Sequence, residues 1–314
     1  MKWKTVCKFL PILGIGLFIY LIIKLDITKI FQEIKNLNLF LLPIILIIVV
    51  LFYLIQTSKW FVIARKQKID LSFSEAFRIN WISDFYGFVT PGKLGAIIRV
   101  NYLKNKGADI GKGVSNFVID KFLDLASLFI LAFGVGAIIF SKKIIPAAGI
   151  YVSGFIFVFL VIFFLIFYKK ENCRRLLGFF HKRFVPKRFK EKSKNLFNSF
   201  YEDFPPISFL LGAFFLNLVC WVTNYFVLYL IAISLGISIN FIYFLVILAI
   251  STVIAQIPIT INGLGTREAT LISLFGVMGV SSVKVFSMSV LGIMIMSIIP
   301  AIISIILILL EKKK

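Results

Sequence analysis

Histidine and cysteine are almost missing from this chain, and carboxylates are scarce. Among 314 residues there are one His and three Cys, and 14 Asp and Glu stand against 35 Lys and Arg. Cys7, Cys173 and Cys220 share no metal-type spacing and are too scattered for a disulfide framework, so they leave the redox compartment open. His181 lies in a basic stretch without cysteine or carboxylate partners and makes a poor metal ligand. No metal and no cofactor are therefore expected. A phosphate-loop motif is also missing, so transport driven by the chain's own ATP hydrolysis is not supported. No stretch is polar enough, for long enough, to form a soluble domain of any size.

What the chain has in abundance is apolar length. It is 60% hydrophobic, with a mean hydropathy of +0.99. Several runs approach or exceed the ~20 residues that cross a bilayer as a helix. The expected fold is all-α, a polytopic membrane helical bundle of about six full spans plus two broken or re-entrant hairpins. Residues 1–314 read as a single integral membrane domain. Charged residues make up only 16%, yet the formal net charge is +21. The basic residues lie between apolar runs, which fits a membrane surface and argues against nucleic acid.

In chain order, Lys2, Lys4 and Lys8 precede a first span, Phe9 to Ile23, with no small-residue cleavage site after it. Ile27, Ile30, Phe31 and Ile34 recur at helical spacing, as in a short helix lying in the interface. Further spans are expected at Leu39 to Ala64, Gly113 to Phe140, Ile144 to Tyr168, Ile207 to Ser234 and Val283 to Leu310. Arg65, Lys66 and Lys68, the basic loop at 169–194 and the terminal lysines place both termini on the cytoplasmic side by the positive-inside rule. Asn217, Trp221 and Asn224 are spaced by four and then three, a helical face expected to look into the bundle.

Two segments do not read as straight helices. Asn80 to Arg99 is apolar on both sides of Thr90-Pro91-Gly92, where proline removes a donor and glycine gives up helical stability. Basic residues flank both its ends, so a re-entrant hairpin is preferred to a crossing. The second, Phe241 to Val280, is interrupted by Pro258 and by Thr260-Ile-Asn-Gly-Leu-Gly-Thr-Arg-Glu268, and must leave and return to the outer face, as a second hairpin or as two crossings. Irregular backbone at membrane depth persists only where protein or a wet cavity satisfies it. Entry from opposite leaflets makes the pair a candidate inverted repeat, a design in which half-helix amino termini meet an anion near the midplane. Pro91, Gly92, Gly95, Pro258, Gly263 and Gly265 are the expected hinge positions.

Charges inside these spans carry the strongest functional signal, because each costs roughly 2.5–3.5 kcal/mol at the bilayer centre on insertion scales. Asp120 and Asp124 lie one helical turn apart, with Lys121 beside them. Lys93, Arg99 and Arg267 are the expected phosphate binders, since a guanidinium fork matches phosphate oxygens. Asp120, Asp124 and Glu268 would pair with them or with a cationic headgroup. The same charges could instead form a static brace across the broken helices. No nucleophile or metal cluster accompanies the carboxylates, so no catalytic residue is assigned, although a membrane transferase using them as acid and base remains an alternative.

Phe88-Val-Thr-Pro-Gly-Lys-Leu-Gly95 with Arg99, Asp120-Lys-Phe-Leu-Asp124, and Ile257-Pro258 followed by Asn262-Gly-Leu-Gly-Thr-Arg-Glu268 together resemble the flippase-like membrane region of lysylphosphatidylglycerol synthases. The likeness covers nearly the whole chain. It departs at Ala96, where a glutamate often follows the glycine, and at Asp120-Lys121, in place of a Glu-Arg pair. The resemblance implies a lipid-translocating bundle, and the expected function is a plasma-membrane flippase whose partners are membrane lipids, anionic or phosphate-bearing, either phospholipid or polyisoprenoid-linked. The soluble aminoacyl-transferase domain is not in this chain, so lipid synthesis by it alone is not expected. A subunit docking to a lipid synthase or glycosyltransferase is the third reading.

Overall fold

The computed structural model describes residues 3–134, 165–175, 190–257 and 260–311, with single positions at 158, 162 and 186. Most of the fourth expected span, half of the basic loop, His181 and Pro258 lie outside the described residues. Among those described, the chain is helical with no strand: α1 (Trp3–Leu25), α2 (Ile27–Lys35), α3 (Leu42–Lys66), α4 (Phe73–Phe88), α5 (Arg99–Asn105), α6 (Ile110–Phe129), α7 (Lys190–Tyr201), α8 (Ile207–Ser234), α9 (Phe241–Gln256), α10 (Thr266–Val277), α11 (Ser282–Ile293) and α12 (Ile299–Glu311). Three helical stretches are long and apolar enough to cross a membrane: Leu39–Lys66, Ile207–Ser234 and Ser282–Leu310. On α8 Leu211, Phe215 and Val219 are exposed at a spacing of four, an apolar stripe of the kind that faces lipid. The all-α polytopic bundle expected from composition is the fold observed.

α3 and α8 form the central pair and run antiparallel, which sets two ends of the molecule. At one end Asp203, just before α8, accepts from Lys68 at 2.7 Å and Lys112 at 3.0 Å. Lys68 and then Lys112 hold its carboxyl below the usual carboxylate range. At the other end the backbone N–H of Asn38, before α3, donates to the Ser234 carbonyl at 3.0 Å. We call these the basic end and the far end.

Each central helix feeds a hairpin. α4 begins at the basic end with a capping box between Ser72 and Glu75, descends to Phe88, and returns through a 3-10 turn, Leu94–Ile98, into α5. Lys106, just beyond α5, pairs with Glu75, so both ends of this segment lie together. It is a re-entrant hairpin. α9 and α10 do the same from the far end, with Phe244 near the mouth packed on Phe275 at 5.3 Å between ring centroids.

The elements after each hairpin are exchanged. A π-turn that extends α6, Ile130–Gly134, packs on α9, while α12 packs on α4. That reciprocal exchange is what a two-fold axis in the membrane plane produces. α11 passes into α12 through a second π-turn, Met294–Ile298. Pro300 has no N–H for the Met296 carbonyl, and the Tyr53 hydroxyl donates to that carbonyl at 3.0 Å instead. α2 lies at the far end, its Ile30 buried against Phe286.

Candidate functional site

The hairpin tips meet. Pro91 and Ile261 form an isolated antiparallel bridge, and the residues around them correspond one to one. Thr90-Pro-Gly-Lys-Leu-Gly95 and Thr260-Ile-Asn-Gly-Leu-Gly265 share Thr, Leu and Gly at the same offsets, a match that direct comparison of the two breaks in the sequence would have found. Positive φ falls on the same two positions of each: 59° and 56° at Gly92 and Lys93, 49° and 73° at Asn262 and Gly263. In both, the leucine N–H closes a turn onto the bridge residue, Leu94 to Pro91 at 3.3 Å and Leu264 to Ile261 at 2.9 Å. Lysine at a positive φ is uncommon outside strained or functional turns.

Glycine is required at the last shared position. A side chain at Gly95 would run into the Tyr86 carbonyl, and one at Gly265 would come within 2.5 Å of the Gly14 carbonyl on α1. Each freed N–H has a partner. Gly95 donates to Thr90 Oγ1 at 2.7 Å and Gly265 to Glu268 Oε2 at 2.6 Å. The expected hinges Pro91, Gly92, Gly95, Gly263 and Gly265 all lie in these two loops.

Behind the tips is a cavity of about 170 Å³. Of the residues expected at the site, Lys93, Asp124 and Arg267 line it. Lys59, Lys121 and Asp84 join them, so four cations face two carboxylates across the wall. Asn224 and Trp221 also line it, and Asn217 is fully buried beside it, as the spacing of that face of α8 implies.

Arg99, Asp120 and Glu268 are not in that wall; burial sorts them. The Arg99 side chain is 3% exposed and the Arg267 side chain 21%. Arg99 pairs with Asp120 at 2.8 Å and lies between the Trp60 and Phe117 rings, 5.5 and 5.7 Å from their centroids. Asp120 also takes Lys59 at 2.6 Å. Lys59 spends its other two donors on Asp124 at 3.1 Å and Asn217 at 2.8 Å, and Asn217 donates in turn to the Leu123 carbonyl and Ser127. Lys121 reaches Asp124 at 3.2 Å. This ladder ties α3, α5, α6 and α8 together and is a brace.

Glu268 locks the other side. It caps the start of α10, accepts from Ser289 at 2.8 Å, and receives Arg267 Nε at 3.2 Å, while Arg267 Nη2 donates to Ser289 at 2.7 Å. Arg267 is thereby held in the cavity lining, and among the described residues no partner engages its Nη1. Lys93 makes no ion pair among the described residues; its electrostatic neighbours are Lys121, Asp84, Asp124 and Arg267.

Lys59 is the residue that sequence reasoning missed. Its signal is Gln56-Thr57-Ser58-Lys59, a polar run inside an otherwise apolar span, which a reading of span length and flanking charge passes over. Among the described residues no cluster of His, Cys, Asp and Glu suits a metal ion.

Comparison with known proteins agrees with this architecture. The family described as the lysylphosphatidylglycerol synthase TM region matches residues 9–304. A UPF0104 membrane protein of Pyrococcus horikoshii is 24% identical over 282 residues, covering 83% of this chain and 84% of the relative.

Proposed function

The chain belongs to the lysylphosphatidylglycerol synthase TM-region family, and on that premise we propose that it moves a phosphate-bearing lipid between the leaflets of the plasma membrane. One observation carries the reading: hairpins entering from opposite ends join at Pro91 and Ile261 and present Lys93 and Arg267 to one cavity. A headgroup entering it trades water for an ammonium and a guanidinium held by different halves of the molecule, while its tails stay in hydrocarbon. Arg267 can offer phosphate oxygens paired donors, and Lys93 adds a point charge on a flexible stem. Arg99 and Asp120 serve this pathway from behind the wall, as a brace. The enzyme alternative is weakened because both of its carboxylates, Asp120 and Asp124, are tied to Lys59. The basic end, with both termini, faces the cytoplasm by the positive-inside rule.

The experiment is reconstitution of the purified chain in liposomes carrying an acyl-chain-labelled phospholipid whose outer-leaflet fraction is quenched. Wild type is expected to expose the inner-leaflet label. Lys93→Ala is expected to slow that exposure by roughly tenfold or more, the worth of a charge-assisted hydrogen bond. Equal rates in protein-containing and protein-free vesicles would refute the reading.

A further inference from the structure

The cavity has a second pole that phosphate binding does not use. Asp84, on α4, lines it and makes no ion pair among the described residues. Beside it Gln56 brings its amide to the carboxylate and leaves Oε1 buried with no hydrogen-bond partner. Trp81 Nε1 is likewise buried and unpartnered. The Trp81 ring meets Tyr53 edge-on at 5.2 Å and Phe77 at 5.0 Å, and Phe85 lines the same wall. Orphaned buried polar groups are rare, because each forfeits its hydration without compensation. The acceptor of the two, Gln56 Oε1, and a carboxylate with no close ion pair among the described residues line the same aromatic-walled stretch of the cavity.

Resting on the transport reading, we propose that Asp84, Gln56 Oε1 and the faces of Trp81 and Tyr53 form a subsite for an organic ammonium, so that the transported head is zwitterionic, of the phosphoethanolamine kind. The chemistry of the corner selects that class. Two acceptors supply hydrogen-bond partners for N–H donors, and aromatic faces stabilise a weakly hydrated organic cation. A bare metal cation prefers a fuller shell of oxygens than this corner offers. Placement around the cavity also fits. Lys93 is an electrostatic neighbour of both Asp84 and Arg267, and all three line the one cavity. A head with phosphate at Arg267 and Lys93 and an ammonium on a short arm would meet all three. An uncharged glycerol head brings no cation to Asp84.

The test compares acyl-chain-labelled phosphatidylethanolamine with acyl-chain-labelled phosphatidylglycerol in liposomes containing the full chain. Wild type is expected to move the ethanolamine lipid roughly tenfold faster, as one charged hydrogen bond is worth. Asp84→Asn is expected to bring the ratio near one, with Trp81→Phe between. Equal wild-type rates, or a preference that persists in Asp84→Asn, would overturn the inference and leave the transport reading standing. If Asp84→Asn does not fold, competition on wild type decides: soluble phosphoethanolamine should slow movement at a lower concentration than glycerol phosphate, and equal potency overturns it. Movement of both lipids that requires sodium and is lost together in Asp84→Asn would assign the corner to a metal cation instead. Movement of neither lipid would remove the transport reading, and this inference with it.

Discussion

Lys59→Met is expected to destabilise the fold by about 3–5 kcal/mol, the usual cost of breaking a buried ion pair by removing one partner. The methionine fills the same volume, so the loss is electrostatic rather than a cavity. Three acceptors lose a partner at once: Asp120, Asp124 and Asn217 each lose the ammonium that meets them at 2.6, 3.1 and 2.8 Å. Asp120 keeps Arg99, and Asp124 keeps only the more exposed Lys121. Thermal unfolding of the detergent-solubilised protein measures the effect. Adding Asp124→Asn to Lys59→Met removes one unbalanced charge and should recover part of the loss. A variant within ~1 kcal/mol of wild type would mean that water reaches the ladder and that it is no brace.

The second large effect falls on transport. Arg267→Ala is expected to slow lipid movement roughly a hundredfold, more than Lys93→Ala, because a planar fork offers two parallel donors where an ammonium offers a point charge. The variant should still fold. Glu268 retains Ser289 and the Gly265 N–H, so its carboxylate keeps two hydrogen bonds after the guanidinium is gone. Arg267→Lys should recover a fraction of the rate, and a variant as fast as wild type would take Arg267 out of the path. Arg99→Lys provides the contrast. It keeps the charge facing Asp120 but loses the flat packing between Trp60 and Phe117, so it should lower stability more than it lowers transport per folded molecule.

Much of the architecture was legible because the bilayer imposes it. A span must be apolar for its whole length, so Ile207 to Ser234 could be bounded at both ends, and Pro91-Gly92 could be seen as a break that a lipid-exposed helix would not bear. Flanking charge placed the mouth of the first hairpin, and the Glu75–Lys106 pair is where the structure closes it. What sequence could not reach was direction within a cross-section. Arg99 and Arg267 are both arginines a few residues beyond a glycine break, yet α5 turns the first inward to Asp120 while α10 presents the second to the cavity. Lys59 and Asp84 were obscured for the opposite reason. Lys59 sits inside a long apolar span and Asp84 near the end of a short, mixed helix, and only the helices around each say whether it is braced or waiting for a ligand.

The central claim is that Lys93 and Arg267, carried by hairpins from opposite ends, hold the same headgroup. A double-mutant cycle on lipid movement tests it directly, with rates for wild type, Lys93→Ala, Arg267→Ala and the double variant in matched liposomes. Residues that share one partner are non-additive. The double variant should be little slower than Arg267→Ala alone. Effects that multiply in full, as for two sites that never meet the same lipid, would contradict it.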